Sequence, residues 1–140
     1  MPLNDIERAK ELLNNDPSLT AVAVRGDKVL TTDKRGIRPL VEWLDKEDMK
    51  GFSAADKAGG RAAAMLYDLM GIKEVYFIRA SRHCMDYLIG KGIKADCGDM
   101  VEYILNRDRS GMCPMEELSL TTDDPSVFLE KAREKLSIKR

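Results

Sequence analysis

The stretch Glu74-Val75-Tyr76-Phe77-Ile78-Arg79-Ala80-Ser81-Arg82-His83-Cys84-Met85-Asp86-Tyr87-Leu88, followed by Gly92-Ile93-Lys94-Ala95-Asp96, decides the fold. Its first five residues are a nearly unbroken apolar and aromatic run, the pattern of a strand buried on both faces. Ser81 then stands where a helix over 82–91 needs its cap, with a hydroxyl able to accept an orphan backbone N–H, and Gly92 stops that helix. A second short strand is expected over 93–96. Strand, helix, strand implies two parallel strands joined by a right-handed crossover.

Working outward from this unit, Asn4 and Glu7 have the spacing of a capping box, and Leu3, Ile6, Ala9, Leu12 and Leu13 recur at helical intervals until Asn15-Asp16-Pro17. The β-rich runs 20–25 and 28–32 flank Gly26-Asp27, a pair suited to a tight antiparallel hairpin. Pro39 fits the first turn of a short helix carrying Leu40, Val41, Trp43 and Leu44 and ending near Gly51. Ser53 and Asp56 have the spacing of a further N-terminal cap. A helix is therefore expected from there to Gly71, with Ala58, Ala62, Met65, Leu66 and Leu69 along one stripe. Gly59 and Gly60 would each weaken that helix by about 1 kcal/mol relative to alanine, so close packing must compensate.

Downstream, 101–105 is compatible with helix or strand, 106–111 reads as a polar loop, Cys113-Pro114-Met115-Glu116 opens a short helix, and Asp124-Pro125 caps a last helix to about Leu136. The elements assemble as a three-layer α/β/α sandwich with a mixed sheet, expected to form one domain over residues 1–140.

Composition narrows the function classes. The chain has 140 residues, 44% of them hydrophobic, and nothing near the run of about 18 apolar residues that a membrane span requires. The acidic residues in MPLNDIERAKELL do not suit a secretion signal, so a cytoplasmic location is expected. Cys84, Cys97 and Cys113 are an odd number without CxxC pairing, which argues for reduced thiols and against a standard structural zinc site. A net charge of −1 with both signs interspersed leaves no basic stripe for a nucleic-acid backbone.

Ligands of α/β layer folds gather beyond the carboxyl ends of parallel strands, where helix N-termini point outward. Two such starts are expected, one with Ser53, Asp56 and Lys57 and one with Ser81, Arg82, His83 and Cys84. If they converge they favour an anion. Lys57 is a candidate carboxylate or phosphate ligand, or a base; the alternative is a solvated lysine beside an Asp56 cap. Cys113, just before Pro114, is a candidate nucleophile facing a helix start, or else a packed or capping thiol. Glu116 reads first as a capping-box carboxylate of its own helix and is also a candidate ligand contact. Asn106 and Arg107 are placed to orient an anion from the other side. Ser81 is primarily a cap, and Cys84 an inert packed thiol.

The element order resembles the cytidine deaminase fold, whose corresponding helix starts carry H-x-E and P-C-x-x-C around a catalytic zinc. Here Ser81 stands at the first cysteine position, Cys84 matches the second, and Asp56-Lys57-Ala58 lies near the place of H-x-E without its glutamate. More specifically, the chain is similar to the family called domain of unknown function 1893. That resemblance is carried by Asp56-Lys57-Ala58-Gly59-Gly60-Arg61-Ala62-Ala63-Ala64, Ser81, Ile104-Leu105-Asn106-Arg107 and Gly111-Met112-Cys113-Pro114-Met115-Glu116. It implies a deaminase-like fold with no established activity.

The resulting expectation is a deaminase-like protein without the usual zinc ligands, binding a small anionic or nucleotide-like ligand, with no cofactor or metal assigned. The alternatives are a zinc-dependent nucleobase or nucleoside deaminase with substituted ligands, and a non-catalytic regulatory or interaction module. Self-association into a homo-oligomer is also expected, since sheets of this kind often leave a flat helical face.

Overall fold

The computed structural model of the chain describes residues 3–105 and 111–138. Helix α1 (Asp5–Asn15) begins with the expected capping box: Glu7 N–H donates to Asn4 at 3.0 Å, and Asn4 N–H donates back to the Glu7 carboxylate at 3.3 Å. Strands β1 (Ala21–Arg25) and β2 (Lys28–Thr32) form the antiparallel hairpin. Gly26 turns it with φ of +58°, a conformation that L side chains rarely adopt. Helix α2 (Arg38–Lys46) follows, with Pro39 in its first turn.

Then come β3 (Ser53–Gly59), α3 (Arg61–Met70), β4 (Glu74–Ser81), α4 (Arg82–Gly90), β5 (Lys94–Val101), α5 (Pro114–Ser119) and α6 (Pro125–Leu136). The strands lie in the order β2-β1-β3-β4-β5, with β1 antiparallel to both its neighbours and β3, β4 and β5 parallel. The sheet is mixed, as the sequence led us to expect.

Two apolar layers flank the sheet. On one face Ala9 and Leu13 of α1 meet Val22, Val24 and Ala55. On the other, Trp43, Met65, Leu66, Leu88 and Phe128 from α2, α3, α4 and α6 pack against Ala54, Val75 and Phe77. Each large side chain fully buried there contributes about 1.5–3 kcal/mol relative to exposure. Among the described residues, no helix is long and apolar enough to cross a membrane.

One expectation is corrected. The helix placed at Ser53 and Asp56 starts at Arg61 instead, and residues 53–59 form β3, the middle strand of the sheet. The Ser53/Asp56 spacing and the alanines favoured a helix locally. They were outweighed by pairing on both edges, because β1 and β4 saturate the β3 backbone from either side. Ser53 is no cap either: its buried hydroxyl donates to the Glu74 carboxylate at 2.9 Å.

Small residues suit a strand in this position. A Cβ on Gly59 would run into the ring of fully buried Phe77. Glycine there is a requirement of close packing. The second strand of the opening motif is also longer than expected, with β5 extending to Val101 and the following bridge pairing Leu105 with Met112.

Candidate functional site

Strands β3 and β4 end side by side, with Gly59 opposite Ala80 in parallel register. Helices α3 and α4 therefore begin next to one another beyond the carboxyl ends of the two strands. Two helix starts do converge here, although the first lies at Gly60 and Arg61 and not at Ser53 to Lys57. Each carries unpaired N–H groups and roughly half a positive charge.

What meets them is a carboxylate of the chain itself. Glu116 is 1% exposed. Its Oε1 accepts from the backbone N–H of Arg61 at 3.0 Å and from the Ser81 hydroxyl at 2.7 Å. Its Oε2 accepts from the backbone N–H of Ile104. Gly60 supplies no side-chain cap to α3, and the role passes to Glu116 from far along the chain. An added Cβ at Gly60 would lie 3.1 Å from Glu116 Oε1, so the missing side chain leaves room for the carboxylate. The capping-box reading of Glu116 is thereby corrected: α5 has no side-chain cap, and the glutamate reaches across to other elements.

Ser81 is the cap that the sequence suggested, and it bonds to Glu116 as well. Its Oγ accepts from Cys84 N–H at 3.1 Å, capping α4, while the hydroxyl hydrogen goes to Glu116. One oxygen thus couples the helix start to the carboxylate. Cys84 lies fully buried beneath it. Burial, and then the charges of Asp56 and Glu116, push its thiol well above the ordinary range, which suits an inert group.

Asp56 lies on β3 facing α3. Its Oδ2 accepts from the Tyr67 hydroxyl at 2.7 Å and its Oδ1 from Ala58 N–H at 3.1 Å. Burial raises its pKa from 3.8 to about 6, against the opposing pull of those hydrogen bonds. The Tyr67 hydroxyl is raised well above its ordinary value, first by burial and then by the Asp56 charge. Asp56 with Tyr67 and Ser81 with Glu116 are thus two buried hydrogen-bonded pairs. Tyr67 was not singled out from the sequence; its spacing of 11 residues from Asp56 matches no local motif.

The other predicted residues are more dispersed. Alternation along β3 turns Lys57 away from Asp56, and its ammonium donates to the Pro17 carbonyl after α1. Cys113 sits half-buried at the N-cap of six-residue α5, with its N–H donating to Ile104 O at 2.7 Å. Asn106 and Arg107 lie outside the described residues. Arg61, passed over as part of an alanine-rich motif, does more than expected. Its guanidinium donates to the Ser119 carbonyl, to the Thr122 carbonyl at 2.8 Å and to Asp123 at 2.7 Å, and lies 5.3 Å from the centre of the Tyr87 ring.

Zinc does not suit these donors. The corner offers one buried thiol with a raised pKa, an engaged serine and a glutamate already bonded to three donors. Among the described residues, no three His, Cys, Asp or Glu side chains gather as a metal site. A separate polar hollow of about 390 Å³ lies beside the hairpin, lined by Ser18, Thr32, Lys34, Glu42 and Trp43 among others.

Comparison with known proteins bears on the whole chain. Residues 8–136 match the sequence profile of the domain of unknown function DUF1893 (TM1506). The crystal structure of a DUF1893 family protein, TM1506 from Thermotoga maritima, is 23% identical and superposes with a TM-score of 0.87, covering 96% of this chain and 92% of that one. A dCMP deaminase from the cyanophage S-TIM5, in apo form, is 14% identical with a TM-score of 0.45, covering 66% of this chain and 93% of that one. No curated protein matches the sequence.

Proposed function

The chain belongs to the DUF1893 family, and from that premise we propose that it is a small-molecule-binding protein of deaminase-like fold whose ligand presents an oxyanion to the paired starts of α3 and α4. The observation that carries this reading is the carboxylate of Glu116, received there by the Arg61 N–H and the Ser81 hydroxyl, with the Ile104 N–H after β5 as the third donor. Such donors recognise a carboxylate or phosphate oxygen irrespective of the molecule attached to it. A nucleotide-like or organic-acid ligand fits this chemistry.

In the same proposal Ser81 donates to the ligand, Asn106 and Arg107 are retained as candidate ligand contacts, and Asp56 sets the charge beneath the site. Lys57 and Cys113 are retained as the candidate base and nucleophile. Lys57 would have to leave the Pro17 carbonyl to act there, and its alanine variant tests that role directly. The protein acts in the cytoplasm and self-associates.

A thermal-shift screen of nucleotides, nucleoside monophosphates and organic acids tests the proposal, since a ligand that prefers the native state must stabilise it. At a hundredfold excess over Kd the stabilisation is about 2.7 kcal/mol. The expected result is stabilisation by anionic compounds that weakens in Ser81→Ala and Arg107→Ala. Uniform silence across the screen would favour an interaction module without a ligand. Lys57→Ala and Cys113→Ala that leave binding and any turnover unchanged would remove those two residues from the site.

A further inference from the structure

We propose that two copies of the chain join along the outer edge of β2, where their five-stranded sheets run together and each copy sets Lys28 beside the polar hollow of the other. This rests on the self-association proposed above and assigns it a surface. Strand β2 pairs with β1 on one side, and among the described residues no strand pairs with its other side. The two-residue turn at Gly26-Asp27 makes Arg25 and Lys28 a hydrogen-bonded pair, so Lys28, Leu30 and Thr32 bond inward to β1. On that inner side the Thr32 carbonyl accepts from Thr20 N–H at 2.8 Å. Val29 and Thr31 therefore turn their N–H and C=O groups outward.

A two-fold axis at Leu30 uses those groups. Val29 of one copy then faces the partner's Thr31, and the reverse, so both outward residues exchange hydrogen bonds with the other chain. Val29 is 38% exposed, and its β-branched side chain meets that of the partner's Thr31. The opposite faces of the strand match as well. Leu30 packs on the core layer that contains α2, and Lys28 on the same face lies 3.2 Å from Glu47 just past that helix. The partner's Lys28 thus stands opposite Thr32, on the α2 side, where Thr32, Asp33, Lys34, Glu42 and Trp43 line the hollow. That lining carries two carboxylates and one lysine, with Lys34 at 3.7 Å from Glu42. The partner's Lys28 supplies the balancing positive charge. The other edge of the sheet offers less. Strand β5 exposes Asp96 and Asp99, and Asp96 Oδ1 accepts from Cys97 N–H at 2.9 Å, so the strand's own side chain occupies one of its backbone donors.

Sedimentation velocity over a concentration series on wild type, Thr31→Pro and Lys28→Glu tests the interface. Proline at position 31 removes an outward N–H and none of the bonds to β1, which an edge strand tolerates. The expected result is a wild-type dimer whose dissociation constant rises about tenfold or more in each variant. A second readout does not depend on how the proline variant folds. At the axis Leu30 faces the partner's Leu30 in a non-hydrogen-bonded pair, with a Cα separation of about 4.5 Å that falls within disulfide range. Under mild oxidation Leu30→Cys should therefore run as a cross-linked dimer on a non-reducing gel, while wild type does not. Wild type that stays monomeric at every concentration overturns the self-association and the interface together. A wild-type dimer that Thr31→Pro leaves intact, or that Leu30→Cys does not cross-link, overturns the β2 interface and leaves self-association through another face.

Discussion

Replacing Asp56 by asparagine should make the protein more stable at neutral pH and flatten its pH dependence. Asp56 is 8% exposed and titrates at about 6 in the folded chain against an ordinary value of 3.8, burial being the main cause. The folded state thus holds this proton more tightly than the unfolded state. The stability contributed by the protonated form is fully present below 3.8 and is lost as pH rises through about 6. The difference between the two values corresponds to about 3 kcal/mol lost between acid and neutral pH. Asparagine removes that loss. It weakens one of the two hydrogen bonds, to Tyr67 or to Ala58 N–H, at a cost of about 1 kcal/mol. The net gain at pH 7.5 is about 2 kcal/mol, or a midpoint shift of about 1 M urea. Urea unfolding of both proteins at intervals from pH 3.5 to 8 measures it. The difference between the two curves isolates Asp56 from the other carboxylates. An Asp56→Asn variant that is less stable at pH 7.5, or whose pH profile runs parallel to wild type, would refute the reasoning.

Other outcomes follow from the same geometry. Gly59→Ala drives a methyl group into the Phe77 ring and should cost about 3 kcal/mol in urea unfolding, partly recovered by adding Phe77→Leu; a neutral Gly59→Ala would contradict the close approach of β3 to that ring. Cys84 should be alkylated by iodoacetamide far more slowly than half-buried Cys97 and Cys113 in the native protein, and at a similar rate in denaturant; peptide mass spectrometry reads all three, and equal native rates would contradict its burial. Ser81→Ala removes both the α4 cap and a donor to Glu116, so a loss of about 2–3 kcal/mol is expected by thermal unfolding; a loss under about 0.5 kcal/mol would mean that neither bond is formed in solution.

The readable parts of the sequence were those whose partners are near in the chain. Asn4 with Glu7, Ser81 with Cys84 N–H and Asp124 with Ser126 N–H are bonds across two or three residues, and each cap was legible from residue type and spacing. The crossover unit was legible for the same reason, because the Ser81 cap and Gly92 punctuate it. Glu116 shows the opposite case. A glutamate at the third position after a helix cap carries a strong local meaning, and nothing in the surrounding residues records that Arg61 and Ser81 are waiting for it. Strand β3 was misread because Ser53, Asp56 and the alanines obey the local grammar of a helix start, while the edges that hold them as a strand belong to β1 and β4. The two helix starts do lie side by side beyond β3 and β4, although one of them had been drawn seven residues too early.

The central claim is that the starts of α3 and α4 share one internal carboxylate, and a double-mutant cycle on Ser81→Ala and Glu116→Gln measures it most directly. Urea unfolding of the two single variants and the double variant at pH 7 gives the coupling between the hydroxyl and Oε1, which are 2.7 Å apart and buried. A charge-assisted bond in that setting predicts a coupling of about 1.5–3 kcal/mol. Effects that add to within about 0.5 kcal/mol would contradict the account.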